Sequence, residues 1–330
     1  MALLKSTMRI ELGGGPVADA HHTYALRFGE LSLKSAPVRR NFQRVLIASI
    51  DRAAILNNID LYHDRVDTLV LATTSGPREV IEGILRRCFG MVGCDPVTQM
   101  DLNPEIVAAA ALNRDNRRGE VRTFAVRCKR SGSKTEWGSQ TFAGTVGHHM
   151  LELDPSLKVD LSNPEIIVRV HITPKDAWLM EQRIPGPGGL PCGVQGNVLA
   201  HIQSESDLLS SWQVMRRGAG IVPIRGSDEG LMEILDGWDA GIGEAAKGNV
   251  SASRKKKWSK RTPWGFIGMP RVEAEKLIRI DRDRITPPVE LDATQGWSES
   301  EKSALLAHIK DPTSNEWGHA GNSALLSWIE

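Results

Sequence analysis

At 330 residues the chain is long enough for two or three domains of ordinary size. With 41% hydrophobic and 25% charged residues it reads as globular, and no apolar run reaches the roughly 18 residues that a membrane span needs. A net charge of +1 does not by itself announce a nucleic-acid partner, so any basic surface must come from local clustering.

The opening MALLKSTMRIELGGG lacks a long apolar core of the kind a secretory leader needs, so a cytoplasmic protein is expected. Residues 1–20 are Gly-rich without a period and read as a flexible arm. Cys88, Cys94, Cys128 and Cys192 stand at unrelated spacings with no CxxC pair. The doublets His21–His22 and His148–His149 fall in no HExxH frame, so no metal site is expected.

From residue 21 the chain gives an alternating strand, Thr23–Phe28, and then a helix on which Phe42, Leu46, Ile50 and Ala54 recur at four-residue steps. Strands at about Ile59–His63 and Thr68–Thr73 follow, then a helix over Pro77–Arg87. This β-α-β-β-α order over residues 21–115 is that of a ferredoxin-like sheet. Between residues 118 and 184, FAVRCKRSGSK puts Arg127, Lys129, Arg130 and Lys134 on and just beyond a strand. Alternate strand residues share a face, so Arg127 and Lys129 point the same way, which suits tracking a phosphate backbone rather than reading bases. A helix over Thr141–Leu151 and a strand pair, Glu165–Ile172 and Ala177–Gln182, complete this region.

Three prolines and four glycines across Ile184–Gly193 cannot continue a helix or a central strand, so residues 185–195 read as an extended hinge with turns. Beyond it, Gly196–Ile224 reads as strand, tight loop, helix, strand, with Leu208, Trp212 and Met215 forming a core stripe on the helix. That βαβ order implies a parallel pair in a doubly wound sheet occupying residues 196–330. The run SASRKKKWSKR then sets Arg254, Lys255, Lys256 and Lys257 beside Trp258, a mixture that suits phosphate neutralisation with base stacking but also describes a solvated loop. Ser298 and Glu301 make a capping box ahead of Leu305, Leu306 and Ile309. The tail from His319 carries a short apolar run without a functional reading.

The junction EQRIPGPGGLPCG, the strand and loop RFGELSLK (Arg27–Lys34), and CFGMVGCDPV (Cys88–Val97) resemble the tRNA 4-thiouridine synthetase (ThiI) family. Within residues 118–184, the FxVRxKR strand, the VGHHML helix, the VDLSNPEIIVRVHI segment and the AWLMEQR strand resemble a THUMP domain in the same order. The resemblance implies α+β ferredoxin-like and THUMP domains followed by a doubly wound α/β domain of the PP-loop, adenine-nucleotide-hydrolase type. It also implies that the first two domains grip the acceptor stem and 3′ end of tRNA, with Arg27, Lys34, Arg39, Arg40 and Arg44 presented near one edge.

In the family a glycine-rich SGGxDS loop wraps the phosphates of ATP, because backbone amides must approach the anion closely. Here Gln203, Ser204, Glu205, Ser206 and Asp207 stand in its place, without glycine. Were a nucleotide retained, His201, Ile202, Ser204, Ser206, Asp207 and Gly268 would face it, although Glu275 or Lys276 occupies the slot of a nucleotide-contacting Gln. Glu205 would also bring a carboxylate toward a triphosphate, at a cost of roughly 4 kcal/mol for two unit charges about 4 Å apart at an effective dielectric near 20. The family's persulfide-bearing Cys has no counterpart after Cys192 in this sequence, so no catalytic residue is assigned.

The expectation is therefore a tRNA-binding protein involved in tRNA modification, with a degenerate nucleotide domain and no cofactor. Its partners would be tRNA and a modification or sulfur-carrier protein, with no membrane and with homodimer formation left open. The alternative is an active tRNA sulfurtransferase, or another ATP-dependent tRNA-adenylating enzyme, that borrows a partner's cysteine. A third class, a structural subunit without RNA contact, predicts that substituting Arg127, Lys129 and Arg130 leaves RNA affinity unchanged.

Overall fold

The computed structural model describes residues 21–29, 34–115, 117, 119–133, 136–258, 261–278 and 287–315. The expected arm at 1–20, Lys134 and the tail from 316 lie outside these residues.

The first half runs β1 (His22–Phe28), α1 (Ala36–Leu56), β2 (Tyr62–Val66), β3 (Leu69–Thr74), α2 (Arg78–Arg86) and β4 (Met91–Asp101). It continues with α3 (Pro104–Asn113), β5 (Arg122–Arg130), α4 (Ser139–Leu153), β6 (Leu157–Val159), β7 (Ile166–Ile172), β8 (Asp176–Met180) and β9 (Ile184–Pro185). The α1 stripe of Phe42, Leu46, Ile50 and Ala54 is buried as its four-residue spacing requires. Besides the short strands β6 and β9, two longer elements here have no counterpart in the sequence reading. The strand β4 contains Gly93 and Pro96, which weaken a strand pattern, yet it lies between β1 and β8 at the middle of the sheet. The helix α3 opens on Asn103, whose side chain accepts the Glu105 amide at 2.8 Å, with Pro104 just inside.

All nine strands join one mixed sheet in the order β2-β3-β1-β4-β8-β7-β5-β6, with β9 also on β4. Pairing is antiparallel except for β5 with β6 and β7. Register decides which residues share a face. Tyr24, Leu26, Val70, Ala72 and Cys94 pack against α1 and α2, while Phe124, Val168, Val170 and Leu179 pack against α3 and α4. Tyr24 stands opposite Pro96, Thr98 opposite Leu179 and Leu179 opposite Val170, so both groups lie on the same side and all four helices cover one face. The other face carries a small apolar cluster of Ala25, Leu69, Leu71, Val97 and Trp178, an exposed Ile167, and several polar and charged side chains.

The second half comprises β10 (Asn197–Ala200), α5 (Glu205–Arg216), β11 (Gly220–Pro223), α6 (Glu229–Asp236), α7 (Ile242–Ala246) and α8 (Ala252–Trp258). After these come β12 (Gly265–Ile267), α9 (Arg271–Leu277), β13 (Val289–Glu290) and α10 (Glu299–Lys310). Its four strands form a wholly parallel sheet, β11-β10-β12-β13. Both faces are covered: Val198, Ala200, Ile221 and Ile267 face α5, α6 and α10, whereas Leu199 and Phe266 face Ala274 of α9. Leu208, Trp212 and Met215 are each fully buried, and the Ser298–Glu301 box closes α10 with both reciprocal bonds.

The two sheets are held together in three ways. Phe89, in the turn between α2 and β4, belongs to the core of the second half, with its ring centroid 5.5 Å from Trp212 and 5.3 Å from Trp238. Arg52 of α1 and Arg254 of α8 converge on Asp239 at 3.1 and 2.8 Å. The segment 185–195 is bonded to both sides: Gly90 N donates to Gly188 O and Gly188 N to Met91 O, then Leu190 N to Arg216 O and Gln195 N to Gly218 O. Gly189 sits at φ 70, and a Cβ there would come within 2.1 Å of Arg216 O, so only glycine lets the strap lie this close to α5.

Candidate nucleic-acid interface and nucleotide turn

The basic residues singled out in the sequence fall into three places. Arg27 of β1 and Arg127 and Lys129 of β5 share the helix-free face of the large sheet, and Arg127 and Lys129 are exposed. Arg130 ends β5 on the opposite parity, its guanidinium donating to Ser133 O at 3.4 Å. Lys34, Arg39 and Arg40 precede or open α1 and are exposed there, on an element that covers the other face. Lys255, Lys256 and Lys257 are exposed on α8, where Lys257 reaches the strap through Cys192 O at 3.4 Å, and Trp258 is half-buried.

Arg254 is a correction. Only 6% exposed, it places its guanidinium on Asp239, with Nη1 on Oδ2 and Nη2 on Oδ1 both at 2.8 Å, and adds a bond to Ala240 O. Burial opposes the charge of Asp239, but Arg254 and Arg52 outweigh it and hold the carboxyl below the usual carboxylate range. The basic run is thus a helix whose first cation is consumed by the fold.

The helix-free face also contains arginines that the sequence reading passed over. Asp95 is fully buried, and it accepts Arg27 Nε at 2.6 Å, Arg183 Nε at 2.9 Å and Nη2 at 3.2 Å, and Arg169 Nη1 at 3.5 Å. Burial alone would raise its pKa, but the hydrogen bonds and charges of Arg183 and Arg27 lower it overall. Arg169 stands directly opposite Arg127 across the β5–β7 pair, and His171 opposite Lys129. Like charges in that relation cost a sheet a few tenths of a kcal/mol or more, roughly 0.2–1 kcal/mol. His171 does not add to the repulsion: burial, then the Arg27 charge, push its pKa down to about 4. The period-2 pattern of IIVRVHI carried Arg169 and His171 in the sequence, but the converging partners come from distant segments.

Below the strap, the turn that leads into α5 is closed by its own side chain. Gln203 N and Ser204 N donate to Asp207 Oδ2 at 3.1 and 2.9 Å, Ser204 Oγ does so at 2.8 Å, and Asp207 N returns to Ser204 Oγ. This is a capping box in which the carboxylate fills the place an anion would take at a helix start. Gly268, at φ 69, closes the other side, where a Cβ would come within 2.0 Å of His201 O and 2.9 Å of Asp207 Cγ. Ile202 is fully buried in the core and its amide donates to Ser227 Oγ, which takes it out of the expected nucleotide-facing set. Ser206 Oγ lies 3.5 Å from Thr294 Oγ1, and His201 faces Gln203. Glu205 also differs from expectation. Its carboxylate pairs with Lys310 of α10 at 3.3 Å, so the charge inside the turn belongs to Asp207. The cleft of 620 Å³ beyond the end of β11 is lined by Glu229, Glu233, Asp236 and Glu244 against Arg225 and Lys247, an excess of acids.

The thiols are poor nucleophiles as held. Burial pushes Cys88, Cys94 and Cys192 up to about 12 and Cys128 up to about 11, far from the thiolate a sulfur carrier uses. Among the described residues no group of His, Cys, Asp and Glu is arranged to hold a metal ion, and no helix is long and apolar enough to cross a membrane.

Residues 104–180, from α3 through β8, match the family model described as THUMP domain. A probable tRNA sulfurtransferase of Methanocaldococcus jannaschii is 30% identical over 232 residues, covering 65% of this chain and 60% of that relative. A tRNA sulfurtransferase of Thermoplasma acidophilum is 28% identical over 204 residues, covering 59% of this chain and 40% of that one. The chain resembles the tRNA sulfurtransferases. It spans between about half and three-fifths of the first of these relatives. In three dimensions it is similar to a Pyrococcus horikoshii protein, at TM-score 0.65 and 20% identity over 87% of this chain and 99% of the other. It is also similar to a 4-thiouridine synthetase solved in complex with RNA and bound ATP, at TM-score 0.62 and 18% identity over 88% and 85%.

Proposed function

We propose that this chain binds tRNA through its first half and takes part in tRNA modification, while its second half serves as a scaffold or partner surface without activating ATP. In this reading residues 21–115 are a ferredoxin-like unit, 118–184 a THUMP unit, 185–195 the connecting strap and 196–330 a shortened PP-loop-like unit, and the first two grip the acceptor stem and 3′ end. The match of residues 104–180 and the exposed Arg127, Lys129 and Arg130 support the RNA partner. The observation that carries the loss of nucleotide chemistry is the Asp207 carboxylate, which occupies the amides and hydroxyl that would otherwise meet a phosphate.

The reading is tested by measuring affinity for a tRNA transcript with and without its 3′ CCA end, each with and without ATP. Affinity that depends on CCA and ignores ATP supports it; wild-type protein that does not retain tRNA overturns it. A second reading, an active tRNA sulfurtransferase or adenylating enzyme working with a partner's cysteine, is favoured by the named relatives and by the intact βαβ frame. ATP–pyrophosphate exchange that requires tRNA and is lost in Ser206→Ala would favour this second reading over the first.

A further inference from the structure

Asp95 is a buried carboxylate with more cations than it can neutralise. Its own side chain is inaccessible, yet the guanidinium-bearing side chains that meet on it reach water, at 23% exposure for Arg27, 28% for Arg169 and 46% for Arg183. They come from β1, from β7 and from the strand-like run after β8, so three separate parts of the chain deliver charge to one point. Arg27 further touches Met180 Sδ at 3.3 Å and Arg169 donates to Glu181 O, but each guanidinium keeps N–H groups without a partner among the described residues. The nearby Glu181 carboxylate is taken by Arg78 at 2.8 Å and Arg114 at 3.7 Å and does not complete the neutralisation. Beside the node, the sheet opens where Leu179–Arg183 and Glu165–Val168 part company, leaving a groove of 1030 Å³ onto which Arg169 and Arg183 face.

A fold staple needs one arginine to match one carboxylate. Two further arginines leave an excess of two positive charges; Arg27 and Arg183 are held on Asp95 at 2.6 and 2.9 Å and Arg169 at 3.5 Å, with Arg127 next in line across the sheet. Forked guanidiniums fixed from behind and unsatisfied in front match the geometry of a phosphate oxyanion, and their immobilisation removes most of the entropy that a mobile surface arginine would lose on binding.

We propose that Arg27, Arg169 and Arg183 form a seat for a single phosphate group, and that Asp95 is the positioning residue that builds it. Two sources share this chemistry: a phosphodiester of bound RNA, which rests on the reading given above, and a free phosphate, which does not.

The test measures tRNA affinity against salt for wild type, Arg183→Lys, the double variant Arg169→Gln/Arg183→Gln, and Asp95→Asn, alongside thermal melting with and without inorganic phosphate. Arg183→Lys keeps the charge and loses the fork, and is expected to weaken tRNA binding about tenfold. The double glutamine variant is expected to lose about a hundredfold and to lower the salt slope by about one, because a single phosphate contact is lost. Asp95→Asn adds a net positive charge, so a diffuse electrostatic surface predicts tighter binding, whereas a positioned seat predicts weaker binding. Unchanged affinity in Arg183→Lys together with tightening in Asp95→Asn overturns an RNA-phosphate seat. Should Asp95→Asn unfold, the half-exposed Arg183 variants carry the comparison. If all variants bind tRNA equally but phosphate protects only wild type from melting, the seat takes free phosphate; if phosphate protects none of them either, there is no seat. Should wild type bind no tRNA, the RNA reading fails and the phosphate arm alone decides.

Discussion

Asp207 and His171 each turn a local environment into a measurable property. Asp207 ties three donors of the α5 entrance, so Asp207→Ala is expected to cost about 1 kcal/mol in denaturant unfolding and to leave tRNA affinity at its wild-type value. A large loss of tRNA binding in that variant would mean the turn meets the RNA. His171 is held neutral by burial, with a folded pKa of about 4 against roughly 6.5 when unfolded. Its contribution is therefore complete above pH 6.5 and drains away as pH falls toward 4, by about 3 kcal/mol in all, because the unfolded chain takes up the proton first. His171→Gln should flatten melting temperature against pH over that interval. The slope that remains belongs in part to His308, which burial also shifts downward, and an unaltered profile would show that His171 is not the titrating group. How far such residues were legible differs. The S-x-x-D spacing at 204–207 is as plain a capping signal as the S-x-x-E at 298–301, but a reading that looked there for a phosphate loop assigned the carboxylate role to Glu205 instead. The pairing of Asp95 with Arg183, 88 residues apart, leaves no local trace at all.

At the scale of elements, helices with a clean stripe and strands of alternating character were legible because their periodicity reports burial directly. The strand β4 was not, since Gly93 and Pro96 break the pattern; Pro96 cannot donate to the ladder, although its carbonyl accepts Glu181 N at 2.8 Å. For α8 the composition was legible and its burial was not. Four consecutive cations and a tryptophan suggest one common role, yet helical geometry turns Arg254 inward while Lys255, Lys256 and Lys257 stay exposed. The two groups should respond oppositely to substitution. Arg254→Ala strips Asp239 of its bidentate partner and leaves only Arg52 beside a buried carboxylate, for an expected loss of about 3–5 kcal/mol in stability. Lys255→Ala is expected to change stability by no more than about 0.5 kcal/mol and, if α8 touches RNA, to lower the salt slope of binding by about one. Equal stability losses in both variants would contradict the assignment of Arg254 to the fold alone.

The whole molecule depends on a contact that no sequence pattern announces. Periodicity encodes how an element meets its own sheet, and the CFG turn after α2 belongs to the first half by every local sign, yet Phe89 lies in the core of the second. There it meets Trp212 edge-on and Trp238 at a tilt, and both indoles also lie near His308 of α10, so one ring from the first half completes an aromatic cluster in the second. The strap with its positive-φ glycines, which reads in isolation as a free hinge, is in fact pinned to β4 on one side and α5 on the other. With the Asp239 ion pairs beside it, this joins the two halves, and it gives the second half a structural role of its own: it buries Phe89 and braces the sheet. Phe89→Ala tests that role. The lost transfer energy and the cavity together amount to about 3–5 kcal/mol, and because the loss falls on the contact between halves, calorimetric unfolding should change from one transition to two. The transition that assigns to the second sheet should move down, since its core loses the inserted ring, while tRNA affinity measured well below both transitions stays near wild type. A single transition displaced as a whole would mean that the strap and the Asp239 pairs suffice to couple the halves, and a collapse of tRNA affinity at temperatures where both halves remain folded would mean that the second half shapes the RNA surface as well as bracing it.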